Sequence, residues 1–589
     1  MKWLQEAYRK HEKIWCNLVF PLILFIYPLV TLNQGIDVSD STYSLSNFLY
    51  FPRMEGMWVI STYVANVCGW LLTHLPFGTT LLGMRLYTGF LVSATVLLVY
   101  YQLRRWMPAW IVYAGELIAI GFLWIPVTIL YNYLTYFFFV LGTVLLYRGL
   151  VENKNSNLFS AGLALGFNLL VRIPNLTQTA LIIGLWYYLA ARKKGLSVVV
   201  QKTGYCLAGY LAGVALPLLA VLLQYGVQGL VEAIRGLGAV ADADASYTPL
   251  SMVLAVFEAY AKSGKWFLLL GIAVSLGMAM FALRKGRLEK IKRLIYLAGM
   301  AVLLRFLWGR GMFSFRYYED YSSMYEWGML GLFLGWIAAI YMLASIRPSL
   351  EEKLWAVLVL VILAITPLGS NNYTYQNLNN LFLVAPFTLY TFVKIFRYRQ
   401  GDGPLSGLSF PWKAMVAATG AMIFIQSTGF HLGFSFRDGM DGTPRDCLLT
   451  SPRVVAGMKT TQENGEALAG LFSYWQERQL EGKTVVLFGD CPGLSYLLNM
   501  PFALGTAWPD LDSFSYEAFA EELEGTKEGA VVIIRNKEPG SEVARKKKAC
   551  LFQWMEKEGY ACGYDSNSYS VYLKENGQEA AGVAGGKND

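Results

Sequence analysis

Ile14-Trp-Cys-Asn-Leu-Val-Phe-Pro-Leu-Ile-Leu-Phe-Ile-Tyr-Pro-Leu-Val-Thr-Leu32 carries no charge and is entered through Lys2, Arg9, Lys10 and Lys13. A bilayer core of about 30 Å takes about 20 apolar residues per helix, so this run is long enough to span one. It is also long for a signal peptide, and no small-x-small cleavage site follows, so it is expected to remain as an anchor. Similar runs recur at 80–103, 107–124, 126–148, 158–172, 176–191, 204–224, 266–284, 293–309, 327–346, 353–369, 380–396 and 411–430. The expected architecture is therefore a polytopic all-α membrane domain of about thirteen transmembrane helices. The runs 158–172 and 176–191 are short and divided by Pro174, which predicts a tight hairpin.

Composition points the same way. Of 589 residues, 55% are hydrophobic and only 15% charged, where soluble domains carry about 25%. The net charge of +8 is unevenly placed. From His431 onward there are 16 Lys+Arg and 23 Asp+Glu, a net of −7; the 33 and 18 that remain give residues 1–430 a net of +15. The basic clusters sit between apolar runs, on every second connection, so they require no nucleic-acid partner. Arg104–Arg105, Arg148/Lys154, Arg192–Lys194, Arg284–Arg293, Arg347/Lys353 and Lys394–Lys413 fall on the side of the N-terminus. The positive-inside rule makes that side cytoplasmic. An odd number of spans then places residue 431 onward outside a cell (plasma) membrane crossed many times.

Two outward connections are long. Residues 33–79 contain two apolar-patterned stretches, Tyr43–Tyr50 and Met57–Leu72, suited to helices lying along the interface. Residues 226–262 hold a small-residue run, Gly236 to Ser246, and an amphipathic piece at Met252–Tyr260. The tail differs in kind. Thr484–Phe488, Ala530–Ile534 and Ser570–Lys574 have strand character, with helical patterns at Tyr516–Leu523 and Arg545–Gly559, which predicts a small α/β domain over 431–575. Residues 576–589 are expected to be a disordered tail. Cys447, Cys491, Cys550 and Cys562 lie in the tail domain and permit two disulfides in three pairings, or free thiols; their spacing is not that of a zinc site.

The residues best suited to chemistry follow the first run: Gly35-Ile-Asp-Val-Ser-Asp-Ser-Thr-Tyr-Ser-Leu45. Asp37 and Asp40 are carboxylates beside aromatics at a membrane surface, where a carboxylate can act as general base, bind a metal or orient a hydroxyl. Read locally, Asp40 caps the helix Ser41–Tyr50. Arg172, in Val171-Arg-Ile-Pro-Asn175, lies at the edge of a span, where a guanidinium either contacts phosphate or snorkels to headgroups. Arg310 to Tyr321 adds Arg316. Ser370-Asn-Asn-Tyr-Thr-Tyr-Gln-Asn-Leu-Asn379 sets Asn371, Asn372, Gln376 and Asn377 beside Tyr375, amides and aromatics of the kind that hold sugars. An interfacial aromatic belt with capped helix ends is the plainer account of the tyrosines. Gly489-Asp-Cys-Pro-Gly493 lacks phosphate-loop spacing and is expected to be a strand-to-helix turn.

An acidic motif directly after the first helix, about thirteen helices and an outward C-terminal domain resemble the GT-C superfamily, of the protein O-mannosyltransferase and aminoarabinose transferase type. Members often carry Asp-Glu-x-Tyr-Tyr here; Asp40-Ser-Thr-Tyr43 matches the Asp and one Tyr, with Ser41 in place of the Glu. The resemblance implies Asp40 as catalytic base, Asp37 as second acid, and Tyr43 and Asn132 near substrate. It also implies a polyprenyl-phosphate-linked sugar as donor, its phosphate on Arg172 and Arg316. The acceptor would be an envelope glycan, lipid or protein, beside membrane lipids as partners. Asn132 stands where relatives often have an acid, and a neutral amide is a poor Mg²⁺ or Mn²⁺ ligand. Transfer without metal or other cofactor is the expectation, although a divalent ion stays open. A transporter or flippase, or a non-enzymatic envelope assembly protein, are the alternative functions.

Overall fold

The structure is a computed structural model that describes residues 10–53, 57–124, 127–128, 130–243, 248–282, 288–318, 322–369, 372–398, 410–526 and 529–574. The expected tail at 576–589 and Asn371 lie outside these. In chain order the principal helices are α1 Glu12–Leu29, α2 Asp40–Leu49, α3 Tyr63–Thr73, α4 Leu81–Leu103, α5 Ala109–Gly121 and α6 Leu130–Val151. They continue with α7 Asn155–Leu169, α8 Ile182–Ala191, α9 Leu196–Ala243, α10 Pro249–Ala282 and α11 Glu289–Gly309. The last of the series are α12 Ser322–Ala344, α13 Leu350–Ile365, α14 Val384–Tyr398 and α15 Trp412–Gly433.

Among the described residues, seven helices are long and apolar enough to cross a membrane: α1, α4, α6, α9, α10, α12 and α15. The chain is a membrane protein. Helices also stand at the other six predicted runs, but α5, α7, α8, α13 and α14 are only 10 to 16 residues long. The sixth, α11, carries Glu289, Lys290, Lys292, Arg293 and Arg305. By length and composition alone, seven of the thirteen predicted runs are candidate spans among the described residues.

Packing within the helical part leans on glycine. On α7 and α9, Gly162, Gly166, Gly209 and Gly213 face the partner helix so closely that an added Cβ would lie 2.0–2.3 Å from a backbone oxygen. Small residues let membrane helices approach and gain van der Waals contact where lipid offers no hydrophobic drive.

Both long connections differ from expectation. Residues 226–243 are helical, because α9 bends at Gly226 (φ 70°, ψ −178°) and continues to Ala243. Only glycine takes that backbone readily, and the alanines beyond it favour helix. Tyr63 Oη to Gln224 Oε1 (3.0 Å) and Tyr225 Oη to the Pro52 carbonyl (2.9 Å) fasten the bend to the first connection. In that first connection, α2 and α3 pack on each other. Leu45 and Phe48 are fully buried, and the Phe48 ring sits where a Cβ on Gly69 would be.

Through Ser46, which donates to the Pro492 carbonyl, α2 also packs against the C-terminal domain. Its sheet has strands β1 Val485–Phe488, β2 Val531–Arg535, β3 Tyr560–Asp565 and β4 Tyr569–Lys574 in the order β1-β2-β4-β3. β1 and β2 are parallel, and the other pairs antiparallel. The helices Gln462–Glu477 (α16), Tyr516–Glu524 (α17) and Glu542–Lys557 (α18) complete a small α/β fold. Strand β3 was not expected from sequence. Its Tyr-Ala-Cys-Gly-Tyr-Asp is an edge strand with an exposed middle, so it lacks the apolar run that marks β1 and β2. All seven cysteines are free, so neither tail disulfide is present.

The junction between the two parts is a polar clamp. Arg85 of α4, with no solvent exposure, donates to the carbonyls of Leu32 (3.0 Å), Gln34 (2.8 Å) and Gly35 (2.7 Å). Asp438, just after α15, accepts from the Ile36 amide (2.9 Å) and from Thr460 (2.8 and 2.9 Å). Gly35 has φ +76° and abuts Ser435, leaving no room for a Cβ. Replacing Arg85 by Met would strand three buried carbonyls, a loss on the order of 3 kcal/mol. The expected outcome is a clear drop in the thermal midpoint of detergent-purified protein, read by tryptophan fluorescence; an unchanged midpoint would refute the clamp.

Candidate active site

The N-terminus of α2 is organised by Asp37. Its carboxylate is 2% exposed and accepts from Ser39 N (2.9 Å), Ser39 Oγ (2.5 Å) and Ser41 N (2.8 Å). Those are the first amides of the helix, so Asp37 does the capping that local sequence assigns to Asp40. Asp40 is thereby released. It starts α2 and turns its carboxylate into a cavity of about 860 Å³ between the membrane helices, the first connection and the C-terminal domain.

Asp40, Tyr43 and Arg172 line this cavity together. Arg172 donates at 3.4 Å to the Gly369 carbonyl and lies 6.0 Å from the Tyr131 ring centre. Both of these are neutral groups. Tyr43 stands between two indoles, 5.3 Å from Trp58 and 5.4 Å from Trp508.

The remaining wall was not expected from sequence. Arg437 Nη2 is 3.2 Å from Asp40 Oδ2, while Nη1 donates to Ser39 Oγ (2.7 Å) and to both oxygens of Asp490 (3.2 and 3.1 Å). Lys537 Nζ reaches Asp490 at 2.7 Å, and the Asp490 amide donates to Asp510 at 2.8 Å. Arg437 and Asp490 have φ of +52° and +64°. Non-glycine residues held there cost of order 1–3 kcal/mol each, so the surrounding fold imposes these positions. Burial pushes the Asp40 carboxyl up to about 6, opposed by the Arg437 charge and reinforced by Asp37 and Asp490. Burial also raises Asp510.

Asp490 belongs to Gly489-Asp-Cys-Pro-Gly493, which is the strand-to-helix turn expected. It does more than turn. The Gly493 amide donates to the Val38 carbonyl (2.8 Å), and an added Cβ would lie 1.9 Å from Thr42 Oγ1, so the turn sits directly on the start of α2.

Other expected site residues stand elsewhere. Arg316 is exposed and does not line the cavity. Asn132 is buried one position after Tyr131, which does line it. Gln376 accepts from Tyr136 (2.9 Å), Asn377 donates to the Leu363 carbonyl (2.9 Å), and Tyr375 packs on Tyr325. These amides join helices. Asn372 is exposed near them. Among the described residues no three His, Cys, Asp or Glu side chains converge as a metal site would need. The carboxylates of Asp40 and Asp490 are instead neutralised by Arg437 and Lys537.

Lys547 holds the Trp508–Ser513 wall. It is fully buried and donates to the carbonyls of Pro509 (2.9 Å), Leu511 (2.7 Å) and Phe514. Lys547→Met should cost on the order of 2–4 kcal/mol. Hydrogen exchange should rise at residues 508–514 first; protection unchanged there would show that the loop does not depend on the ammonium.

No protein-family profile matches the sequence, and no curated protein matches it. Among solved structures the chain is similar to the Archaeoglobus fulgidus oligosaccharyltransferase tethered with an acceptor peptide containing the NVT sequon. The TM-score is 0.41 at 13% identity, over 97% of this chain and 75% of that one. A second structure of that protein, in complex with Zn and sulfate, gives 0.40 at 12% identity, over 88% and 68%.

Proposed function

We propose that the chain is a membrane glycosyltransferase, moving a sugar from a polyprenyl-phosphate-linked donor to a hydroxyl acceptor of the cell envelope, on the outer face of the membrane. The observation that carries this reading is the meeting of Asp40 and Arg172 in one cavity that Tyr43, Trp58 and Trp508 also line. A base and an anion-binding cation are what such a transfer needs at its two ends.

In this reading the donor phosphate rests on Arg172, which has neutral partners and keeps its charge for a ligand. The sugar lies over Tyr43 and Trp508. Asp40 takes the proton of the acceptor O–H as that oxygen attacks the anomeric carbon. The C–O bond to phosphate breaks, its electron pair leaves with the phosphate, and the configuration inverts. Positioning and charge stabilisation supply most of the acceleration, because phosphate is already a good leaving group. The ion pairs of Asp40 and Asp490 with Arg437 and Lys537 are what favours a reading without metal.

Asp40 must be ionised to act. With its pKa near 6, kcat/KM should rise with pH and flatten above that value, falling about tenfold per unit on the acid side. Arg437→Gln removes the charge that lowers this pKa, so the limb should move to higher pH; an unmoved limb would count against Asp40 as the titrating base. Purified protein given radiolabelled polyprenyl-phosphate sugar should lose about 10²–10⁴-fold in kcat on Asp40→Asn, with its thermal midpoint retained. Full turnover by Asp40→Asn would overturn the assignment, and solute movement across liposomes without transfer would favour a transporter.

A further inference from the structure

A second polar pocket, of about 400 Å³, opens where α15 meets the C-terminal domain, lined by Phe315, Tyr317, Leu432, Met440, Asp441 and Arg445 among others. It is separate from the cavity that holds Asp40, with which it shares no lining residue.

Its two charges have only neutral partners among the described residues. Arg445 donates to the Gly433 carbonyl (2.6 Å), the Tyr318 hydroxyl (2.7 Å) and the Asp438 carbonyl (3.2 Å). Asp441 Oδ1 accepts from the amides of Tyr317 (2.7 Å) and Tyr318 (3.4 Å). Asp441 Oδ2 and Arg445 Nε are buried without a hydrogen-bond partner. Two opposite, part-buried charges that face one pocket but form no ion pair leave desolvation uncompensated. A ligand carrying both an anion and a cation repays it at each end.

The rim identifies the ligand further. Phe315, Leu432 and Met440 are 56%, 52% and 62% exposed, at the end of a helix apolar enough to cross a membrane. Phe424 and Ile425, one to two turns back along α15, are also exposed. An apolar strip ending in a dipolar pocket at the membrane boundary matches a phospholipid in shape and in polarity. We propose that this pocket binds the headgroup of an amine-headed zwitterionic phospholipid, phosphate on Arg445 and ammonium on Asp441, with the acyl chains along α15. A guanidinium suits phosphate through its planar donors. A primary ammonium brings three donors to a carboxylate that now receives only amide bonds.

Native mass spectrometry of the full chain, equilibrated with equimolar phosphatidylethanolamine and phosphatidylglycerol, tests this. One phosphatidylethanolamine should be retained per chain with about tenfold preference, the value of one charge-assisted hydrogen bond. Asp441→Asn keeps the acceptor for Tyr317 and Tyr318 and should erase the preference while phosphatidylglycerol still binds. Arg445→Gln should weaken both lipids. Should Arg445 variants fail to fold, Asp441→Asn alone decides. Equal retention of the two lipids by wild type, or an undiminished preference in Asp441→Asn, overturns the site. Displacement of the lipid by soluble phosphoethanolamine at comparable concentration would assign the pocket to a soluble zwitterion and overturn the lipid.

Discussion

The candidate site depends on a guanidinium that water does not reach. Arg85 fixes the carbonyls of Leu32, Gln34 and Gly35, and so sets the direction in which the chain leaves the first membrane helix. A buried cation is costly unless it is bonded and its charge is answered. Here the carbonyls supply the bonds, and the carboxylates of Asp438 and Asp37 supply the compensating charge. Asp438 at the same time holds the next amide, that of Ile36, and ties it to Thr460 and to Asn464 beyond it. One short peptide is thus gripped from the membrane side and from the C-terminal side.

That grip explains why two neighbouring carboxylates have different fates. Asp37 follows the clamped peptide immediately and spends its oxygens on the amides and hydroxyl that open α2. Asp40 comes one helical turn later, with no amide left to cap. Its ion-pair partner is Arg437, which stands next to Asp438 in sequence. The segment that pins the first connection therefore also charges the cavity, and neither part of the protein forms this site without the other.

Much of this was legible in the sequence. Hydropathy located a helix at each apolar run, because lipid forces backbone bonding inside each segment. Asp40 and Tyr43 follow the first run and Arg172 ends another, which brings them forward in the sequence; the cavity they share exists only in the fold. Arg437, Asp490, Lys537 and Trp508 were not legible. They sit in turns with no periodic pattern, and sequence separations of up to about 500 residues are closed only by docking of the two parts. The signal that existed lay in Gly489-Asp-Cys-Pro-Gly493, whose closing glycine fits against Thr42. The amides around 376–377 misled for a different reason. An amide that satisfies a buried carbonyl at a helix end has the same composition as one that holds a sugar hydroxyl, and Asn377 on Leu363 is of the first kind.

The distribution of charge within the cavity carries the remaining argument. Asp490 receives both Arg437 and Lys537, so these cations are held against a carboxylate of the C-terminal domain. Arg172, in contrast, spends its donors on a carbonyl and an aromatic face. A phosphate entering the cavity would find Arg172 free of competing carboxylate, whereas binding at Arg437 would require displacing Asp40 or Asp490. In the proposed reading, Arg172 is the end that receives an anion and Asp40 the end that receives a proton. Trp58, Tyr43 and Trp508 pack together on the wall of the same cavity and add apolar faces to it without adding charge. That polarity follows from Asp37 doing the capping, because a capping Asp40 would leave the second end without a base.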